Sequence, residues 1–133
     1  MAKEGVRTHG SNDRRPVLLI VEDEAPLREL VRVSLGDEFD YLEAGDGRTA
    51  LELSAAHRPS LVLLDLMLPG VTGLDVLAAL RADEELAETP VVGVSAWVHL
   101  EPEAIAAGAD RFVTKPFDPD ELRATVVELL DAR

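Results

Sequence analysis

The run LVLLDLMLPGVTG at 61–73 is apolar on both sides of one carboxylate, Asp65. Leu61 to Leu64 have the character of a strand buried on both faces, and Pro69 and Gly70 end the apolar stretch. An aspartate at such a strand end often does no more than bond its own backbone in a turn. Other short runs end in polar groups as well: Glu22-Asp23 follow VLLIV, Ser95 follows VVGV, and Lys115-Pro116 follow FVT. Each has a purely structural explanation alone, as an acidic helix cap, a turn residue or a solvated charge. Together they are carboxylates, a hydroxyl and an ammonium. Clustered carboxylates raise one another's pKa unless a cation joins them, and an oxygen-lined site with room for water suits Mg2+. Lys115 is one of only two lysines, beside eleven arginines, and the other is Lys3. A composition that otherwise uses arginine places a compact point charge here.

These residues meet only if the runs before them lie side by side and point the same way. VLLIV (17–21), FDYLEA (39–44), LVLL (61–64), VVGV (91–94) and FVT (112–114) predict five strands. Between them, Leu27, Leu30, Val31, Ser34 and Leu35 fall on one helix face, as do Leu122, Thr125, Val126, Leu129 and Leu130. Pro26 and Pro119 suit first-turn positions, and Asp118 with Glu121 resembles a capping box. Further helices are expected at about 46–57 and 73–81, with a short one at 101–107. Strict alternation of strand and helix predicts an α/β fold, a parallel sheet with helices on both faces and right-handed crossovers. The uninterrupted apolar strands should be central, and the alternating FDYLEA an edge. In such sheets ligands sit beyond the carboxyl ends of the strands, where these residues lie.

A chain of 133 residues bounds one domain with one core. Its apolar runs are too short to cross a bilayer, which predicts a soluble protein without a membrane partner. The absence of cysteine removes disulfides, thiolate metal sites and cysteine nucleophiles, and fits a reducing cytoplasm. Residues 17–133 carry nine basic against twenty-four acidic groups, a surface that repels a phosphate backbone and argues against direct nucleic-acid binding by this domain. The opening MAKEGVRTHGSNDRRP (1–16) lacks the apolar core of a signal peptide and reads as a flexible lead-in to a domain at 17–133.

The ordered set VEDE, LLDLMLPGVTG, VSA and GADRFVTKPF, over Val17 to about Leu130, resembles the receiver domain of bacterial two-component response regulators. The resemblance implies a doubly wound, flavodoxin-like sheet of strand order 2-1-3-4-5. It makes Asp65 the phosphoacceptor, taking a phosphoryl group from a sensor histidine kinase or a histidine phosphotransfer protein. It implies Mg2+ held by Glu22, Asp23, Asp65 and the main-chain carbonyl of Met67. Lys115 would pair with phosphoryl oxygens, Ser95 would donate a hydrogen bond to one of them, and Phe112 would turn inward as Ser95 moves. A cis Lys115-Pro116 bond is also expected from the family. The output would be altered binding to a downstream protein or output domain, with a homodimer left open. The sequence does not decide between a stand-alone receiver and a piece of a longer regulator.

The chain departs from the family pattern in four places. Glu22 replaces the more usual aspartate, and Phe112 the common tyrosine. Only twenty positions separate Ser95 from Lys115, with Pro102 between them, so the fourth helix should be short or displaced. Trp97 stands where a smaller side chain is more usual, and reads either as a partly buried surface aromatic or, with Met67, as a lid over the site. His9, His57 and His99 show no metal-ligand spacing. Gly70 and Gly73 form no Walker-type loop and should permit the turn after Asp65. Two other readings remain. One is a phosphorylation-independent interaction module on this fold. The other is an aspartyl-phosphate phosphohydrolase, which would need an acid-base aspartate two residues after Asp65, where Met67 stands.

Overall fold

The alternating pattern folds into β1 (Val17–Val21), α1 (Ala25–Leu35), β2 (Asp40–Ala44), α2 (Gly47–His57), β3 (Leu61–Asp65), α3 (Gly73–Ala82), β4 (Val91–Ser95), α4 (Glu101–Ala106), β5 (Arg111–Thr114) and α5 (Pro119–Asp131). This computed structural model describes residues 15–132, so the expected lead-in, apart from Arg15 and Pro16, lies outside the described residues. The strands form one sheet in the order β2-β1-β3-β4-β5, with every neighbouring pair parallel. The fold is therefore the expected doubly wound, flavodoxin-like one.

Alternate strand residues feed two cores, because successive side chains point to opposite faces. Leu18, Ile20, Leu61, Leu63, Val92 and Val94 pack with Leu35 of α1 and with Leu122, Val126 and Leu129 of α5. On the other face, Leu19, Val21, Val62 and Leu64 pack with Ala50 of α2, Val76 and Leu77 of α3 and Ala104 of α4. All of β3 and β4 is buried, as their apolar character requires, whereas β2 alternates and lies at the edge. Among the described residues no helix is long and apolar enough to cross a membrane.

The differences from expectation are local. β3 and β4 each run one residue further, because Asp65 pairs with Val94 and Ser95 with Thr114 in the ladder. Phe39 precedes β2 instead of opening it, though its ring is buried. The apolar face expected of α1 is only partly covered: Leu35 alone in that helix is fully buried, and Leu30 keeps 47% of its surface. The fourth helix is short, as the close spacing of Ser95 and Lys115 implied. One 3-10 turn at Val98–Leu100 leads into it, and Pro102 falls in its first turn. At α5, the Asp118 carboxylate accepts from the backbone N–H groups of Asp120 and Glu121.

Arg81, near the end of α3, ties the loops on either side of β4 together. Its guanidinium donates to the carbonyls of Ala87, Thr89 and Gly108 and pairs with Asp110 at 3.1 Å. Asp110 also accepts the Val91 N–H, so the start of β4 and the end of α4 share one anchor.

Candidate functional site

The parallel ladder continues one step past the strand ends and fixes the backbone there. Glu22 N–H donates to Ala44, Leu66 N–H to Val94 and Lys115 N–H to Ser95, each at 3.0 Å. This register brings the carboxyl ends of β1, β3, β4 and β5 to one rim. Asp65 closes β3 and is 5% exposed, Glu22 follows β1 and is also 5% exposed, and Asp23 beside it is exposed.

Both oxygens of Asp65 are engaged. Oδ1 accepts from the Met67 N–H at 2.9 Å, and Oδ2 from Lys115 Nζ at 3.1 Å. Lys115 Nζ also donates to Glu22 Oε1 at 2.8 Å, while Glu22 Oε2 accepts from the Glu24 N–H at 3.2 Å. Lys115 is joined to Pro116 by a cis peptide bond, as the family pattern suggested. Burial raises the Glu22 carboxyl above its usual value and the Asp65 charge adds to this, against the lowering effect of Lys115 and the Glu24 N–H. Burial alone would lower Lys115, but its bonds to Glu22 and Asp65 and their charges outweigh that and raise it.

One ligand atom from each of Glu22, Asp23 and Asp65 can lie within 4.8 Å of the others, the sole group of this kind among the described residues. The donor set is oxygen throughout. Three carboxylates against one ammonium leave an excess negative charge that a hard divalent cation would balance, so the residues fit Mg2+.

The remaining expected residues lie on β4 and β5 and on the segments that follow β3 and β4. Ser95 is fully buried, and its Oγ accepts the Trp97 N–H at 3.0 Å. Phe112 is half-buried against the core that faces α2, α3 and α4. Met67 and Trp97 keep 50% and 54% of their surfaces, and the Trp97 ring packs edge-on against His99 with centroids 5.2 Å apart. Gly70 has the left-handed φ of 74° that a turn glycine supplies. Gly73 serves a different need, since a Cβ there would stand 2.4 Å from the Asp65 carbonyl oxygen.

Arg28 was not singled out from the sequence. Its Nη1 donates to the Glu22 carbonyl at 2.6 Å while its Nε pairs with Glu43 at 2.9 Å, bracing the turn after β1 against β2. No local spacing announces this contact, because Glu43 lies on another element.

The chain matches the family model of the response regulator receiver domain over residues 18–127. The chain belongs to that family. The receiver is 43% identical over 115 residues to the DNA-binding response regulator MtrA of Mycolicibacterium paratuberculosis, covering 84% of this chain and 50% of that protein. It is 36% identical to the phosphate regulon transcriptional regulatory protein PhoB of Pseudomonas aeruginosa, covering 85% of this chain and 51% of the relative. The receiver thus spans about half the length of these curated relatives. A solved structure from Chloroflexus aurantiacus, described as a response regulator, superposes with a TM-score of 0.86 at 28% identity, covering 90% of this receiver and 100% of that chain. Membership in this family indicates a regulatory switch domain.

Proposed function

We propose that this receiver accepts a phosphoryl group on Asp65 and, in response, changes its binding to another protein. The observation that carries this reading is the state of Asp65: a buried carboxylate at a strand end, with one oxygen held by the Met67 N–H and the other by Lys115. An oriented carboxylate of this kind is a nucleophile whose approach is already set. A carboxylate oxygen of Asp65 attacks phosphorus while the bond from phosphorus to the donor's imidazole nitrogen breaks, leaving an acyl phosphate on the receiver and a free imidazole on the donor. The donor is a sensor histidine kinase or a histidine phosphotransfer protein.

Glu22, Asp23 and Asp65, with the Met67 carbonyl, would hold Mg2+, whose chemistry when bound is to offset charge on the transferring group. Lys115 exchanges its bond to Asp65 for phosphoryl oxygens. Ser95, freed from its local role as acceptor for the Trp97 N–H, donates its hydroxyl to one of them. Phe112 carries no hydroxyl that would need a partner, so its ring can turn inward at low polar cost. In this way the domain assists its own phosphorylation and dephosphorylation.

The downstream partner is a protein or output domain, the compartment is the cytoplasm, and the acidic surface keeps this domain off nucleic acid. The test is incubation with acetyl phosphate and Mg2+, read by intact mass. The parent should gain one phosphoryl group that hydroxylamine removes, as an acyl phosphate requires and a phosphoester does not, and Asp65→Asn should gain none. Equal labelling of Asp65→Asn would remove the assignment.

A further inference from the structure

The peptide between Glu22 and Asp23 joins two of the three residues of the acidic group, and it is held from both sides. One step past the end of β1, the Glu22 N–H donates to the Ala44 carbonyl at 3.0 Å. The Glu22 carbonyl in turn accepts from Arg28 Nη1 at 2.6 Å. Arg28 lies in the first turn of α1, where its own N–H donates to the Glu24 carbonyl at 3.1 Å, and its side chain is 19% exposed. Its Nε pairs with Glu43 Oε1 at 2.9 Å, and Arg32 Nε lies 2.8 Å from Glu43 Oε2, so each oxygen of that carboxylate has one guanidinium. The planar fork of Arg28 thus spans the Glu22 carbonyl and a fixed anion on β2.

We propose that Arg28 is a positioning residue for Mg2+: by holding the Glu22 carbonyl it sets the orientation from which Asp23 meets the ion together with Glu22 and Asp65. A peptide unit is planar, so fixing its carbonyl oxygen fixes the direction in which the next Cα leaves. The next Cα here is that of Asp23, which is exposed and, unlike Glu22 and Asp65, is not paired with Lys115. Its backbone is therefore what places it. The inference rests on the reading that these three carboxylates hold Mg2+, and it gives a role there to a cation outside the acidic group. Electrostatics alone makes the opposite prediction. Arg28 is a positive charge near a cation site, and removing it would by Coulomb repulsion strengthen binding of the ion. Positioning predicts weaker binding, so the two accounts differ in sign.

The experiment is calorimetric Mg2+ titration of the full chain, with backbone amide NMR of the metal-free protein recorded beside it. Arg28→Met removes the charge and the donors and keeps a long unbranched side chain. Its Mg2+ affinity should fall at least about fivefold, and in the metal-free spectrum the Asp23 amide should shift while those of α3 and α5 stay in place. Arg32→Met removes an equal charge and the other contact to Glu43 but none to Glu22, and should stay within about twofold of the parent. Gly45→Val tests the contact at constant charge. A Cβ at Gly45 would lie 3.4 Å from Arg28 Nη1 and meet no other group within 4 Å, so a branched side chain there displaces the guanidinium and should also weaken Mg2+. Unchanged or tighter binding in a folded Arg28→Met, an equal loss in Arg32→Met, or unchanged binding in Gly45→Val each overturns the proposal, and Gly45→Val decides it if Arg28→Met does not fold. A parent that binds no Mg2+, or whose binding survives Asp23→Asn intact, would strike the metal reading itself. The metal-free spectra would still show whether Arg28 holds the peptide, and an unmoved Asp23 amide in Arg28→Met would overturn that as well.

Discussion

Lys115 Nζ lies 2.8 Å from Glu22 Oε1, nearer than the 3.1 Å that separates it from Asp65 Oδ2. The ammonium therefore acts as an internal counter-ion to the two buried carboxylates, and the exposed Asp23 is the third member of the acidic group. Calorimetric titration should show one Mg2+ site in the parent. Asp23→Asn should weaken it at least about tenfold, a difference of roughly 1.4 kcal/mol, with no change in the folded spectrum because that side chain is exposed. Unchanged affinity in this variant would show that the metal is held elsewhere.

Gly73 and Gly70 border the same loop but answer to different constraints. A Cβ on Gly73 would press on the Asp65 carbonyl and on Leu66 Cα, at 2.4 and 2.5 Å, whereas one on Gly70 would meet nothing within 4 Å. Gly73→Ala should therefore displace the end of β3, destabilise the fold by about 1–3 kcal/mol and slow labelling of Asp65. Gly70→Ala should bring only the strain of its left-handed backbone, roughly 1–2 kcal/mol, and leave labelling unchanged. Urea unfolding and acetyl phosphate labelling of the two variants check this contrast. Equal labelling rates would remove the steric link between Gly73 and the acceptor.

What could be read in the sequence, and what could not, divides along the reach of each interaction. The strands were legible because burial on both faces leaves a continuous apolar run, as in VLLIV and LVLL. Glu22, Asp23, Asp65, Ser95 and Lys115 were legible because parallel strands gather their carboxyl ends. Strand order was not in the periodicity and came from the family resemblance. Helix α1 and its apolar face were legible in the spacing of Leu27, Leu30 and Val31, yet spacing cannot tell whether the opposing surface closes on them. Arg28 and Arg81 escaped notice for a related reason. Their partners Glu43, Gly108 and Asp110 lie on other elements, so nothing local marks either arginine as more than a solvated charge.

Tyr41 gives the fold a pH dependence of known sign. Its hydroxyl donates to the Gly36 carbonyl at the end of α1, and burial raises its pKa from 10.0 to about 12. The folded state thus holds the phenol proton more tightly than the unfolded chain does. The resulting stability is complete below the ordinary tyrosine value of 10.0 and is lost as pH rises toward about 12. Tyr41→Phe should be less stable than the parent near neutral pH by about 1 kcal/mol, from the lost hydrogen bond. Its stability should then fall less steeply over that alkaline interval. Denaturant midpoints measured at several pH values test this, and parallel losses in both proteins would exclude Tyr41 as the source.

The lifetime of the acyl phosphate should depend on Trp97. Hydrolysis requires water to approach phosphorus in line, opposite the Asp65 oxygen, so bulky groups at the rim hinder it without touching the metal ligands. Met67 and Trp97 are both large and about half exposed; the Met67 N–H is bonded to Asp65, and the Trp97 N–H to Ser95. The edge-on contact with His99 restrains the Trp97 ring, which favours a lasting obstruction over a freely turning one. A hindrance of only about 1.4 kcal/mol would lengthen the lifetime tenfold. Trp97→Ala should therefore leave the rate of labelling by acetyl phosphate largely intact and speed loss of the phosphoryl group by about that factor. His99→Ala should shift the loss rate in the same direction by a smaller amount. Following loss of the phosphoryl group by intact mass after removal of the donor distinguishes the outcomes. Equal loss rates in the parent and Trp97→Ala would reduce Trp97 to a surface aromatic, while faster loss in Trp97→Ala with an unaltered His99→Ala would keep the lid and discard its brace.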